Sequence, residues 1–98
     1  MTAFDADVLY TINGKTNQVV NTEPGFSAPQ GIAIDPSAQV AFVANDDNGS
    51  LAEVNTGNHS ITATFITGSS PWGVAFNPVT KLLYVTNSGS GSVTVVKI

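Results

Sequence analysis

The side chains best equipped for chemistry are few, and most sit in turns. Asp46-Asp47-Asn48, just ahead of Gly49, gathers hard oxygen ligands of the kind that hold Ca²⁺. A run of Asp and Asn before Gly is also what a tight turn demands, so the metal reading of Asp46 and Asp47 stands beside a conformational one, and no cofactor is required. His59, the single His, lies in "TGNHS" with no Ser or Cys nucleophile in any recognisable motif. It reads as a solvated turn residue rather than a catalytic base. Asp35 and Asn77 each precede Pro in matching phrases, which marks them as turn formers and not as an acid–base pair. Trp72, the only Trp, is able to stack on a sugar or another planar ligand, or to pack between sheets. The absence of Cys removes disulfides, thiolate nucleophiles and cysteine metal sites. No residue is assigned a catalytic role.

The bulk numbers narrow the partners. A chain of 98 residues makes one small domain, burying roughly two-thirds of its unfolded surface. With 42% hydrophobic and only 10% charged residues, it is sparsely charged for a small free-standing protein, which implies that another surface, such as a second copy, covers part of it. Lys15, Lys81 and Lys97 are scattered, Arg is absent and the net charge is −4, so nucleic acid is not an expected partner. "MTAFDADVLY" has neither a basic n-region nor a long apolar core, so no secretory signal is expected there. The apolar runs are far too short to span a bilayer. The expectation is a soluble chain of unassigned compartment that engages no membrane.

The elements that must position these residues are written twice. "PQGIAIDP" (29–36) and "PWGVAFNP" (71–78) stand 42 residues apart, and the offset continues through Val43 and Val85, Asn45 and Asn87, Gly49-Ser50 and Gly91-Ser92, and Val54 and Val96. It also runs backwards, from Asn55 to Asn13. A repeat of this length is the period of a propeller blade. Each unit holds four short strands, a to d. "GIAIDP" or "GVAFNP" is a, "VAFVAN" or "LLYVTN" is b, "LAEVN", "VTVVKI" or "VLYTIN" is c, and "ITATFIT" or "VVNTEP" is d, all separated by turn residues. No stretch keeps a 3.6-residue apolar period, so helices should be nearly absent. The sequence therefore predicts an all-β fold of β-propeller blades with four antiparallel strands each, about two blades per chain. Residues 1–30 supply strands c and d of an incomplete blade, 31–72 a complete blade, and 73–98 strands a, b and c.

In "LLYVTNSGSGSVTVVKI" the chain resembles the YVTN family of β-propeller repeats, with Tyr84-Val85-Thr86-Asn87 carrying the namesake motif intact. "PWGVAFNP" looks like that family's blade opening, and the other copy departs to Phe42-Val43-Ala44-Asn45. The resemblance covers residues 29–98 firmly and the first 28 weakly. It implies a toroid of four-stranded blades with surface-layer, binding or scaffolding roles, and lactonase-like enzymes as relatives. Those enzymes bring acidic and His residues into the channel from many blades, a constellation this sequence does not match.

Two blades form an open arc whose end faces would be bare, so the ring should be closed by copies of the chain. Two blades per chain force an even number, and a homotrimer with six blades is favoured. Strand d at 18–24 would complete the a-b-c sheet of a neighbour, although strand c occurs at both ends (8–12 and 92–97) and the C-terminal copy is expected to keep its place. The d–a and b–c connections of propellers share one rim, which here would carry Gln30, Trp72, Asn45 and Asn87 as candidate ligand contacts and Asp46 and Asp47 as the candidate metal pair. The functional reading is a non-catalytic binding or scaffold module, its partners being itself and a small molecule or carbohydrate. The alternatives are a lactonase-like hydrolase with a symmetric site at the ring centre, or a fragment of a longer propeller.

Overall fold

Along the whole chain, short runs rich in β-branched and aromatic residues alternate with turns of Asn, Asp, Gly and Ser, and each run forms a strand. The computed structural model describes residues 2–3 and 7–98. Its strands are β1 (Thr2–Ala3), β2 (Val8–Asn13), β3 (Gln18–Glu23), β4 (Pro29–Asp35), β5 (Val40–Asn45), β6 (Ser50–Asn55), β7 (Ile61–Ile66), β8 (Pro71–Asn77), β9 (Leu82–Asn87) and β10 (Ser92–Lys97). They form three antiparallel sheets: an N-terminal β1-β2-β3, a middle β4-β5-β6-β7 and a C-terminal β8-β9-β10. Among the described residues there is no helix. The middle sheet is a complete propeller blade, a to d, flanked by sheets that hold parts of the same pattern.

The 42-residue period is visible in the backbone itself. Left-handed residues recur at that spacing: Asp7, Gly49 and Gly91; Asn17 and His59; Ala28 and Ser70; Gln39 and Lys81. Of the described residues with positive φ, only Gly25 lacks such a partner. The a–b and c–d turns close through short side chains. Asn13, Asn55 and Asn77 each accept two backbone N–H bonds through Oδ1, and the Asp35 carboxylate accepts the Ser37 N–H.

Strand a begins earlier than the sequence predicts, at Pro29 and Pro71 rather than at the following glycines. The reason is a bulge in which Gln30-Gly31 faces Ala44 alone and Trp72-Gly73 faces Thr86 alone. A second bulge leaves Val20 and Thr62, again 42 apart, as the extra residues of strand d. β1 was not legible in the sequence. It pairs Thr2 with Leu9 and Ala3 with Val8, the register that Thr86 and Asn87 hold with Val93 and Ser92. β3, expected to complete another copy's sheet, pairs here with β2, and both copies of strand c keep places of their own.

Two apolar clusters hold the sheets together, one on each face of the middle blade. Strand alternation points Ala41, Val43, Ala52 and Val54 toward Leu9 and Phe26, while Phe42 and Leu51 point toward Leu83 and Val85. The Phe42 and Phe76 rings lie 6.0 Å apart at 31°, which welds the second interface.

Candidate functional site

At one rim the d–a connections meet the b–c turns, and the backbone ties them in both copies. The N–H groups of Asp46 and Asp47 donate to the carbonyls of Ala28 and Ser27, as those of Ser88 and Gly89 donate to Ser70 and Ser69. Asn45 and Asn87, the expected ligand contacts, are instead buried at 4% and 2% exposure, and their amides are consumed by this junction. Asn45 Oδ1 accepts from the Ser27 N–H and its Nδ2 donates to Ser50 Oγ. Asn87 Oδ1 accepts from the Gly68 N–H, and its Nδ2 donates to Ser92 Oγ and Thr94 Oγ1. A primary amide suits the place because it offers an acceptor to one strand connection and donors to the next turn at once. Asp46 is half-buried and Asp47 exposed, and among the described residues no group of three or more acidic or His side chains is placed to hold a metal ion.

The rim also carries the bulges that begin strand a. Gln30 is half-buried beneath the N-terminal sheet, its carbonyl accepting a 2.6 Å bond from the Thr2 hydroxyl. Trp72, its equivalent, is 53% exposed. Gly31 is required here: a Cβ on it would run into the Trp72 carbonyl oxygen and crowd the Val74 nitrogen and Gly73 Cα. The inner strands of adjacent blades therefore touch backbone to backbone. Gly73 repeats that gap one blade on, with its N–H held by Thr86 Oγ1.

The opposite rim is built by the a–b and c–d turns. Asp35 is buried, and the Ser37 hydroxyl beside it holds its carboxyl below the ordinary carboxylate value, with Lys81 at 3.9 Å acting in the same sense. Lys81 also lies 5.8 Å over the Phe76 ring, linking two blades through one side chain. His59 does not stand alone in solvent as expected. It is half-buried, and its Nδ1 lies 3.3 Å from Thr11 Oγ1 of the N-terminal sheet. Beside it opens a cleft of about 290 Å³ between the N-terminal and middle sheets, lined chiefly by Leu9, Ile32, Ile34, Ala41 and Val54, with Tyr10, Thr11, Thr56 and His59 as the residues that bring polar groups to it.

With this geometry in place, comparison with solved structures finds hydrazine synthase from Kuenenia stuttgartiensis. The chain is similar to it at 29% identity and a TM-score of 0.69 over 74% of this chain. That protein contains a β-propeller. The match spans 21% of its length. No family model and no curated protein sequence matches the chain. Among the described residues, no helix is long and apolar enough to cross a membrane.

Sequence reading missed the cleft, although the two copies carried its signal. Ala41 stands where the other copy has Leu83, and Ile34 stands where it has Phe76. Smaller residues at two positions paired across the sheet mark a gap between sheets.

Proposed function

We propose that the chain is an arc of a β-propeller that serves as a non-catalytic binding or scaffold module, with its ring completed by copies of itself, three chains making six blades. One observation carries this reading. The outer face of the C-terminal sheet repeats, position for position, the face that the middle sheet buries against it. Phe42 and Leu51 are fully buried, while Tyr84 and Val93, 42 residues on, are 39% and 58% exposed. Val95 on the same face is 54% exposed, and Gly73 stands where Gly31 lets the next blade's backbone approach, meeting here only the hydroxyl of Thr86. Apolar sheet faces of this kind are normally covered in a soluble protein.

The resemblance to YVTN repeats gains support from the roles the motif's residues take. Val85 fills the interface and Asn87 locks the turn, so the motif reads as a blade-building element and not as a catalytic one. Trp72, exposed at the bulge, is the favoured contact for a carbohydrate or another planar ligand. Light scattering coupled to size exclusion tests the assembly: the expected mass is three times the 10.1 kDa chain. A monomer at micromolar concentration refutes the ring.

A further inference from the structure

We infer that the cleft beside His59 is the seat of an aromatic ring supplied by a second copy of this chain, and that the ring is that of Tyr84. The inference rests on the ring reading above and names the residue and strand that make the joint.

At the interface between the middle and C-terminal sheets, the ring of Phe42 is fully buried, with Leu51 and Leu83 in its cluster and Phe76, Val74 and Val96 packed against them. One repeat earlier, those five neighbours become Leu9, Ala41, Ile34, Ile32 and Val54, and all five line the cleft. The cleft is therefore Phe42's place in the preceding interface, enlarged by Ala41 and Ile34. Tyr10 of β2 also lines it, and what it lacks is a ring from a strand b. Phe42 stands across the sheet from Glu53, and Tyr84 stands across from Val95. The equivalent residue of β2 is Thr11, and β1 reaches only Leu9 and Val8.

The sequence of a second copy fits the vacancy. β2 and β10 lie two repeats apart and share one register toward strand b, since Thr2 faces Leu9 as Thr86 faces Val93. β9 of a second copy is thus able to take along β2 the register it has along β10, with Tyr84 opposite Thr11, Leu83 opposite Ile12 and Leu82 opposite Asn13. β2 is the better anchored alternative: Leu9 is 6% exposed, whereas Val93, its equivalent in β10, is 58% exposed. Thr11, Thr56 and His59 at the cleft suit a phenol better than a plain phenyl ring. The exchange also resolves the surplus of strands, because β10 is released where β2 takes over and β1 gives up its edge of β2 to the incoming β9. Each chain then contributes two blades.

The chain has no Cys, so paired cysteines give a clean readout. Asn13 and Leu82 belong to sheets on opposite sides of the middle sheet, too far apart to bridge within one chain. Asn13→Cys with Leu82→Cys is expected to give disulfide-linked oligomers on non-reducing gels. Leu82→Cys with Lys97→Cys, opposite one another in the β9–β10 ladder, is the competing pair and is expected to close poorly in the assembled protein. Ala41→Trp fills the seat with a ring of its own, and should weaken assembly while leaving strand circular dichroism and cooperative unfolding intact. If the parent chain is monomeric, the ring reading and this inference fall together. If it is oligomeric but the 13–82 pair does not link copies, the 82–97 pair closes fully, or the filled seat leaves assembly unchanged, this inference alone is overturned.

Discussion

Replacing Asn87 by Ala separates a junction-locking amide from a ligand-binding one. The side chain makes three hydrogen bonds from a 2% exposed position, to Gly68 N, Ser92 Oγ and Thr94 Oγ1. Each is worth about 0.5–1.5 kcal/mol net, so the loss is about 2–4 kcal/mol. That is a large share of the roughly 5–15 kcal/mol that holds a domain together. In a chain of this size it lowers Tm by roughly 10–25 °C. Asn45→Ala removes two such bonds, to Ser27 N and Ser50 Oγ, and should cost about 1–3 kcal/mol. The assay is urea unfolding followed by circular dichroism at one fixed protein concentration, because any assembly contributes to apparent stability. The ranking matters as much as the size: where β10 keeps its place on β9, Asn87 must cost more than Asn45, and where a second copy's β2 replaces β10 only the Gly68 bond remains and the order reverses. A change below about 0.5 kcal/mol for Asn87→Ala, the range of ordinary surface substitutions, refutes the junction argument and returns the residue to the ligand rim.

Gly31→Ala pushes a Cβ into the backbone of the next blade at Trp72–Val74, which has no rotamer to yield, and should cost about 1–3 kcal/mol in denaturant unfolding. Gly14→Ala, with nothing within 4 Å, is the matched control and should stay within about 0.5 kcal/mol of the parent. Asp35→Asn keeps the turn that Asn77 makes in the other copy but loses the charge facing Ser37 and Lys81. Because Asp35's folded pKa is lowered, its contribution is present above the unfolded value of about 3.9 and disappears as pH falls through the folded value. The stability gap between parent and Asp35→Asn should therefore narrow as the pH is taken from 7 to below about 3, and a gap independent of pH would contradict the assignment.

The blade pattern was legible because its causes are local. Asn13, Asn55 and Asn77 fold their turns with hydrogen bonds to residues two and three positions on, so residue type and spacing suffice. The bulges at Gln30-Gly31 and Trp72-Gly73 were harder to see. They arise where two residues must match one across the sheet, and that count belongs to the pairing and not to either strand. His59 was read as solvated because nothing near it in sequence is a partner; Thr11, which meets it, lies 48 residues away.

The sequence by itself determined the period, the strands and the turns, because strand propensity, Asx turns and left-handed positions act over a few residues and repeat every 42. Tertiary structure alone decided what each copy's residues do. Asn87 became an internal lock because a connection some twenty residues earlier comes to lie over it. Ala41 lines a cleft while Leu83 helps fill a core, because Phe42 packs its ring at Leu83's interface and no strand-b ring reaches the equivalent place beside Ala41. Burial depends on what arrives from elsewhere in the chain, and no local pattern records it.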